Sequence, residues 1–191
     1  KIKIDINGID LISFSAHKFY GLKGIGGLLR KKSLNLEPVI HGGKSTSALR
    51  AGTPSAPLIN SLAVAMGLAF QDFDKKYDHV YELKRFLLDE LLPEIPHVSI
   101  NHKESIPQII NLSFLDVPAG YLHHELSKRH IYISTQTACN SEASYSNTVK
   151  RVTGSDRHAE TSIRVSLSYL TKKAELVEFA EAVKEIVNAY R

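Results

Sequence analysis

Three groups of residues stand where they could do chemistry. Ser15, His17 and Lys18 close an apolar run (Ile9, Leu11, Ile12, Phe14) that reads as a buried strand, and the glycine-dense stretch 21–27 follows at once. An ammonium at the end of a buried strand is costly to desolvate, which favours the free amine, and a free lysine amine is the nucleophile for Schiff-base chemistry with an aldehyde. Ser15 and His17 add donors for an anionic group such as a phosphate. The same pattern fits a solvated charge at a strand end followed by an ordinary turn, and position alone leaves both readings open.

The second group is one residue, Cys139, the single cysteine of the chain. Residues 134–147 around it are small, polar and aperiodic and read as an exposed loop, so the thiol is either incidental or a nucleophile carried in and out of a site. The third is Arg164, which projects from the apolar strand pattern of residues 162–167. A guanidinium there calls for a carboxylate, from a substrate or from a structural ion pair.

Composition narrows the classes. With 191 residues and 43% apolar content the chain is long enough for one good core, or for one domain plus part of another. A single cysteine excludes an internal disulfide framework and a Cys-based zinc site. His123 and His124 are adjacent and so fall on different helix faces, and no second pair has ligand spacing, so no metal is expected. The net charge of +4 comes without a dense basic block, which gives no support for nucleic-acid binding. No apolar run has the length of a membrane span, and the cytoplasm is the default compartment.

The elements that must position these groups follow from periodicity. Residues 1–8 read as a strand and turn, 9–15 as the strand that delivers Lys18, and 24–30 as a second strand whose glycines allow close backbone approach. Residues 57–73, rich in Ala and Leu, read as a mostly buried helix linking two domains. Val80, Leu83, Leu87 and Leu91 recur at helical spacing, and Pro93 and Pro96 stop that helix. Short strands are expected at 98–100, 109–114, 131–133 and 163–167, and a helix at 119–130 with Leu122 and Leu126 inward. Thr171 is expected to cap a closing helix with the seam Leu176, Ala180, Val183, Val187 and Tyr190. The pattern is α/β.

Ser15-Ala16-His17-Lys18-Phe19-Tyr20-Gly21, followed by Lys23-Gly24-Ile25-Gly26, resembles the cofactor-lysine segment of the class V aminotransferase family, specifically its NifS-like cysteine desulfurases. The likeness continues through Leu49-Arg50-Ala51-Gly52-Thr53, Thr137-Ala138-Cys139-Asn140-Ser141 and Ser162-Ile163-Arg164-Val165-Ser166-Leu167. The sequence departs from the family pattern at Lys44-Ser45-Thr46, at Gln136 and Asn140 beside the cysteine, and at Ser168, where the family has glycine. The cysteine segment is closer to the longer-loop desulfurases than to those with Arg-x-Gly-His-x-Cys.

The resemblance implies a pyridoxal 5'-phosphate enzyme of fold type I, with Lys18 carrying the cofactor and Ser15 and His17 binding its phosphate. It implies that Thr53 reaches across a homodimer to the partner's cofactor phosphate, that Arg164 grips the substrate carboxylate, and that Cys139 takes sulfur from L-cysteine as a persulfide, leaving L-alanine. The sulfur would pass to an iron–sulfur scaffold or a tRNA-thiolating enzyme. In that family a large N-terminal portion precedes the lysine and supplies the ring-stacking histidine, the aspartate on the pyridine nitrogen and a glutamine. The expectation is therefore the C-terminal half of a longer enzyme, inactive alone: residues 1–58 as the remnant of the large cofactor-binding domain, and 59–191 as a small C-terminal α/β domain with its linking helix. Two alternatives stand beside it: another class V enzyme, an aminotransferase or selenocysteine lyase, and a non-catalytic C-terminal domain that docks onto partners.

Overall fold

A computed structural model describes residues 5–43, 47–136 and 145–190. Residues 3–73 form one compact unit and residues 74–191 another.

In the first unit, β1 (Leu11–Ser15) pairs antiparallel with β2 (Gly26–Arg30), with Phe14 opposite Gly27 and Ser15 opposite Gly26. The close approach requires glycine: a Cβ at Gly26 would overlap the Phe14 carbonyl oxygen, and one at Gly27 would overlap the Phe14 ring. Between the strands Ala16–Phe19 form a single 3-10 turn, which ends at Tyr20 in the left-handed region (φ 70°). The Gly21 N–H then donates to the Ala16 carbonyl at 2.9 Å. The helix α1 (Ala56–Phe70), with proline in its first turn, packs against this 3-10 turn.

Two expectations about this unit change. β1 is only half covered, with Leu11 exposed, and α1 buries only Ala65 while Ile59, Val64, Leu68 and Phe70 face solvent. A two-stranded ribbon and one helix cannot cover each other's apolar faces, so composition announces burial that these residues do not supply. The compact units divide between Phe73 and Asp74, and α1 packs against the turn that follows β1.

The second unit is an antiparallel sheet of β3 (Val98–Ile100), β4 (Ile109–Phe114) and β5 (Ser162–Ser166), in that order. Strand alternation turns Ile110, Leu112, Phe114, Ile163 and Val165 to one face. That face meets α2 (Phe73–Arg85), α3 (Ala119–Lys128) and α6 (Lys173–Tyr190). Val80, Leu83, Leu122, Leu126, Val183 and Val187 complete the core, all at most 2% exposed. The α2 pattern runs on into a π-turn, Phe86–Leu91, and a 3-10 turn, Leu92–Glu94, before Pro96.

Three local expectations are corrected here. Residues 131–133 form no strand: α3 ends in a left-handed His130 with the Ile131 N–H returned to the Leu126 carbonyl at 3.0 Å, and only Ser134 reaches the sheet, as a single bridge to Arg164. Thr171 does not cap α6; its Oγ1 accepts from the Ser168 N–H, while Glu175 accepts from the Lys172 N–H at 2.7 Å. Tyr190 lies outside the core seam, against the Tyr121 ring at 4.7 Å. Two short helices, α4 (Asn147–Thr153) and α5 (Asp156–Glu160), have no counterpart in the expected pattern.

Candidate active site

β1 ends at Ser15, half-buried, and the 3-10 turn then presents His17 and Lys18 to solvent. The turn is held from below by Ala16, fully buried, whose N–H donates to the Ile25 carbonyl at 3.1 Å. Phe19 packs on Phe14 with ring centroids 6.1 Å apart. Among the described residues, neither His17 nor Lys18 commits its side chain to a hydrogen bond or an ion pair. The apolar surroundings expected at Lys18 are not there: a strand covered on one side leaves the amine exposed.

Thr53 belongs to the same unit, exposed beside Gly52, whose φ of 108° makes the bend. It does not cap α1, since Ser55 occupies the N-cap position without a side-chain bond. Cys139 and residues 137–144 around it lie outside the described residues.

Arg164 belongs to the second unit, on the polar face of its sheet. Asn111 stands directly opposite it on β4. Asn101 Nδ2 donates to Asn111 Oδ1 at 2.6 Å and to Ser113 Oγ at 2.7 Å, and Ser113 Oγ donates to the His158 carbonyl at 2.8 Å. Arg164 Nη2 donates to Ser134 Oγ at 3.1 Å, while Arg164 Nε is buried with no acceptor among the described residues. The ion-pair alternative finds no acid: among the described residues no carboxylate bridges Arg164. A half-buried guanidinium with an unmatched N–H is a ready partner for an incoming carboxylate. Ser134 escaped the sequence reading, because its pairing with β5 is non-local and the alternation of Ile131 and Ile133 is its sole signal.

Among the described residues no group of three His, Cys, Asp or Glu side chains could hold a metal ion, and no helix is long and apolar enough to cross a membrane. The donor set at 15–18 (a hydroxyl at the end of β1, then an imidazole and an amine on the turn after it) fits an aldehyde that carries a phosphate.

Residues 1–179 match the family described as Aminotransferase class-V, and the chain belongs to that family. Within it, the similarity is to cysteine desulfurases. The chain is 32% identical over 193 residues to cysteine desulfurase IscS of Dictyoglomus turgidum, covering 100% of this chain and 49% of that protein. It is 34% identical over 197 residues to the mitosomal cysteine desulfurase of Encephalitozoon cuniculi, covering 100% and 45%. Among solved structures, a NifS-like protein superposes with a TM-score of 0.83 at 30% identity, covering 95% of this chain and 47% of the other. A NifS-like protein from Rickettsia africae shares the fold, with a TM-score of 0.84 at 24% identity, over 98% of this chain and 50% of the other. The chain spans about half the length of the curated relatives it matches.

Proposed function

We propose that this chain is part of a pyridoxal-phosphate-dependent cysteine desulfurase that converts L-cysteine to L-alanine and holds the sulfur as a persulfide on Cys139. The observation that carries the proposal is the end of β1 and the turn after it, where Ser15, His17 and Lys18 follow in sequence and the exposed Lys18 amine has no partner among the described residues. Membership of the class V family and similarity to cysteine desulfurases support it.

Pyridoxal phosphate, when bound, supplies an electron sink for charge developing at the substrate Cα. Lys18 would hold it and then move the proton at Cα, its position set by the buried Ala16 beneath the turn. Ser15 and His17 would donate to the phosphate, with Thr53 donating across a homodimer. Arg164 would bind the α-carboxylate and orient Cα. The Cys139 thiolate would attack the substrate sulfur, forming the S–S bond as the Cβ–S bond breaks, and the electron pair left on Cβ would take a proton to become the methyl group of L-alanine. An iron–sulfur scaffold or a tRNA-thiolating enzyme would then accept the sulfur. A reducing compartment such as the cytoplasm would keep the Cys139 thiol reduced and ready to attack. The exposed apolar residues of α1 and β1 support a working unit larger than this chain, with residues 1–58 at the tail of its cofactor domain and 59–191 as its small domain.

The test is the full-length protein with pyridoxal phosphate and L-cysteine. Cys139→Ala should bind cofactor normally and lose sulfide release. Retained turnover in that variant would replace the proposal with another class V reaction.

A further inference from the structure

Arginine has a long, flexible side chain, so carboxylate recognition needs its guanidinium plane held in advance. Among the described residues one side chain hydrogen-bonds that guanidinium: Ser134, whose Oγ accepts from Arg164 Nη2 at 3.1 Å. Ser134 is itself fixed by backbone. Its N–H donates to the Arg164 carbonyl at 3.2 Å, and the Arg164 N–H donates back to the Ser134 carbonyl at 2.6 Å. Such a reciprocally bonded antiparallel pair puts both side chains on the same face of the sheet. The bridge therefore keeps the Ser134 side chain on the same face as the guanidinium, one rotamer away from contact. On the other flank stands Asn111, its amide oxygen already taken by Asn101 Nδ2 at 2.6 Å, and Arg164 Nε is left without an acceptor among the described residues.

We propose that Ser134 is a positioning residue which orients Arg164 for the α-carboxylate of an amino-acid substrate. The proposal rests on the carboxylate role given to Arg164 above. Ser134 does not touch the reacting atoms; it acts on how well the carboxylate is held. Its loss therefore appears in KM rather than in kcat.

The test uses the full-length enzyme and a pair of equal shape, Ser134→Val and Ser134→Thr, which differ only in the hydroxyl. Ser134→Val is expected to raise KM for L-cysteine about tenfold, the size of one hydrogen bond to a charged group, with kcat within about twofold. Ser134→Thr is expected to keep the wild-type KM, and Ser134→Ala, which adds no bulk, to match valine. The shift should vanish with cysteamine, which has no carboxylate. A wild-type KM in either hydroxyl-free variant, or a fall in kcat at constant KM, overturns the proposal. Arg164→Lys separates the two claims: if it raises KM for L-cysteine while Ser134→Val does not, Ser134 loses its role and Arg164 keeps its own. An unchanged KM in Arg164→Lys removes the carboxylate reading itself.

Discussion

Lys84 Nζ donates to both oxygens of Ser105, the carbonyl at 2.8 Å and Oγ at 2.9 Å, and to the Lys103 carbonyl at 3.0 Å. A buried ammonium on α2 thus holds the connection between β3 and β4, with three acceptors for its three N–H donors. Lys84→Met would leave those acceptors unmatched and is expected to destabilise the chain by about 1–3 kcal/mol. Chemical denaturation at neutral pH measures it.

The same lysine makes stability depend on alkaline pH. Burial holds its pKa below the ordinary 10.5. Between the folded value and 10.5 the unfolded chain keeps a proton that the folded chain has released, so this group's contribution to stability rises with pH across that window. The gap between wild type and Lys84→Met should widen as pH climbs toward 10.5. A gap independent of pH would contradict the assignment.

Gly26 faces the Phe14 backbone, which cannot move aside as a side chain can. Gly26→Ala is expected to cost about 1–3 kcal/mol and to pull β1 from β2, read as faster amide exchange at Ala16.

Leu122 is fully buried on α3. Leu122→Ala removes packing from the core of the second unit and should cost about 2–5 kcal/mol in urea unfolding.

The end of β1 and the turn after it were legible because their signals are local: an apolar run, then Ser15, His17 and Lys18, then glycines that only a close pairing explains. β4, α3 and α6 were legible for the same reason, since Leu112, Leu122 and Val183 repeat at the period of their elements. The misses have separate causes. α4 and α5 are too short for periodicity, although Ser146, Gly154 and Ser155 mark their ends, with side-chain caps at Ser146 and Ser155 and a left-handed Gly154. The burial of α1 and β1 could not be read, because apolar composition does not say whether the covering layer belongs to the same chain. Ser134 depends on a partner thirty residues away. The role of Cys139 came from resemblance, and residues 137–144 lie outside the described structure.

Lys18 is exposed in this chain, so the isolated 191 residues should bind added pyridoxal phosphate weakly and show little cofactor absorbance. A strong band that disappears in Lys18→Ala would contradict this and show a site complete in itself.

Borohydride reduction of the full-length enzyme loaded with pyridoxal phosphate, followed by peptide mass spectrometry, tests the central claim most directly. The account predicts the phosphopyridoxyl group on Nζ of Lys18, in the peptide that also carries Ser15 and His17. A tag on any other lysine, or none at all, would contradict it.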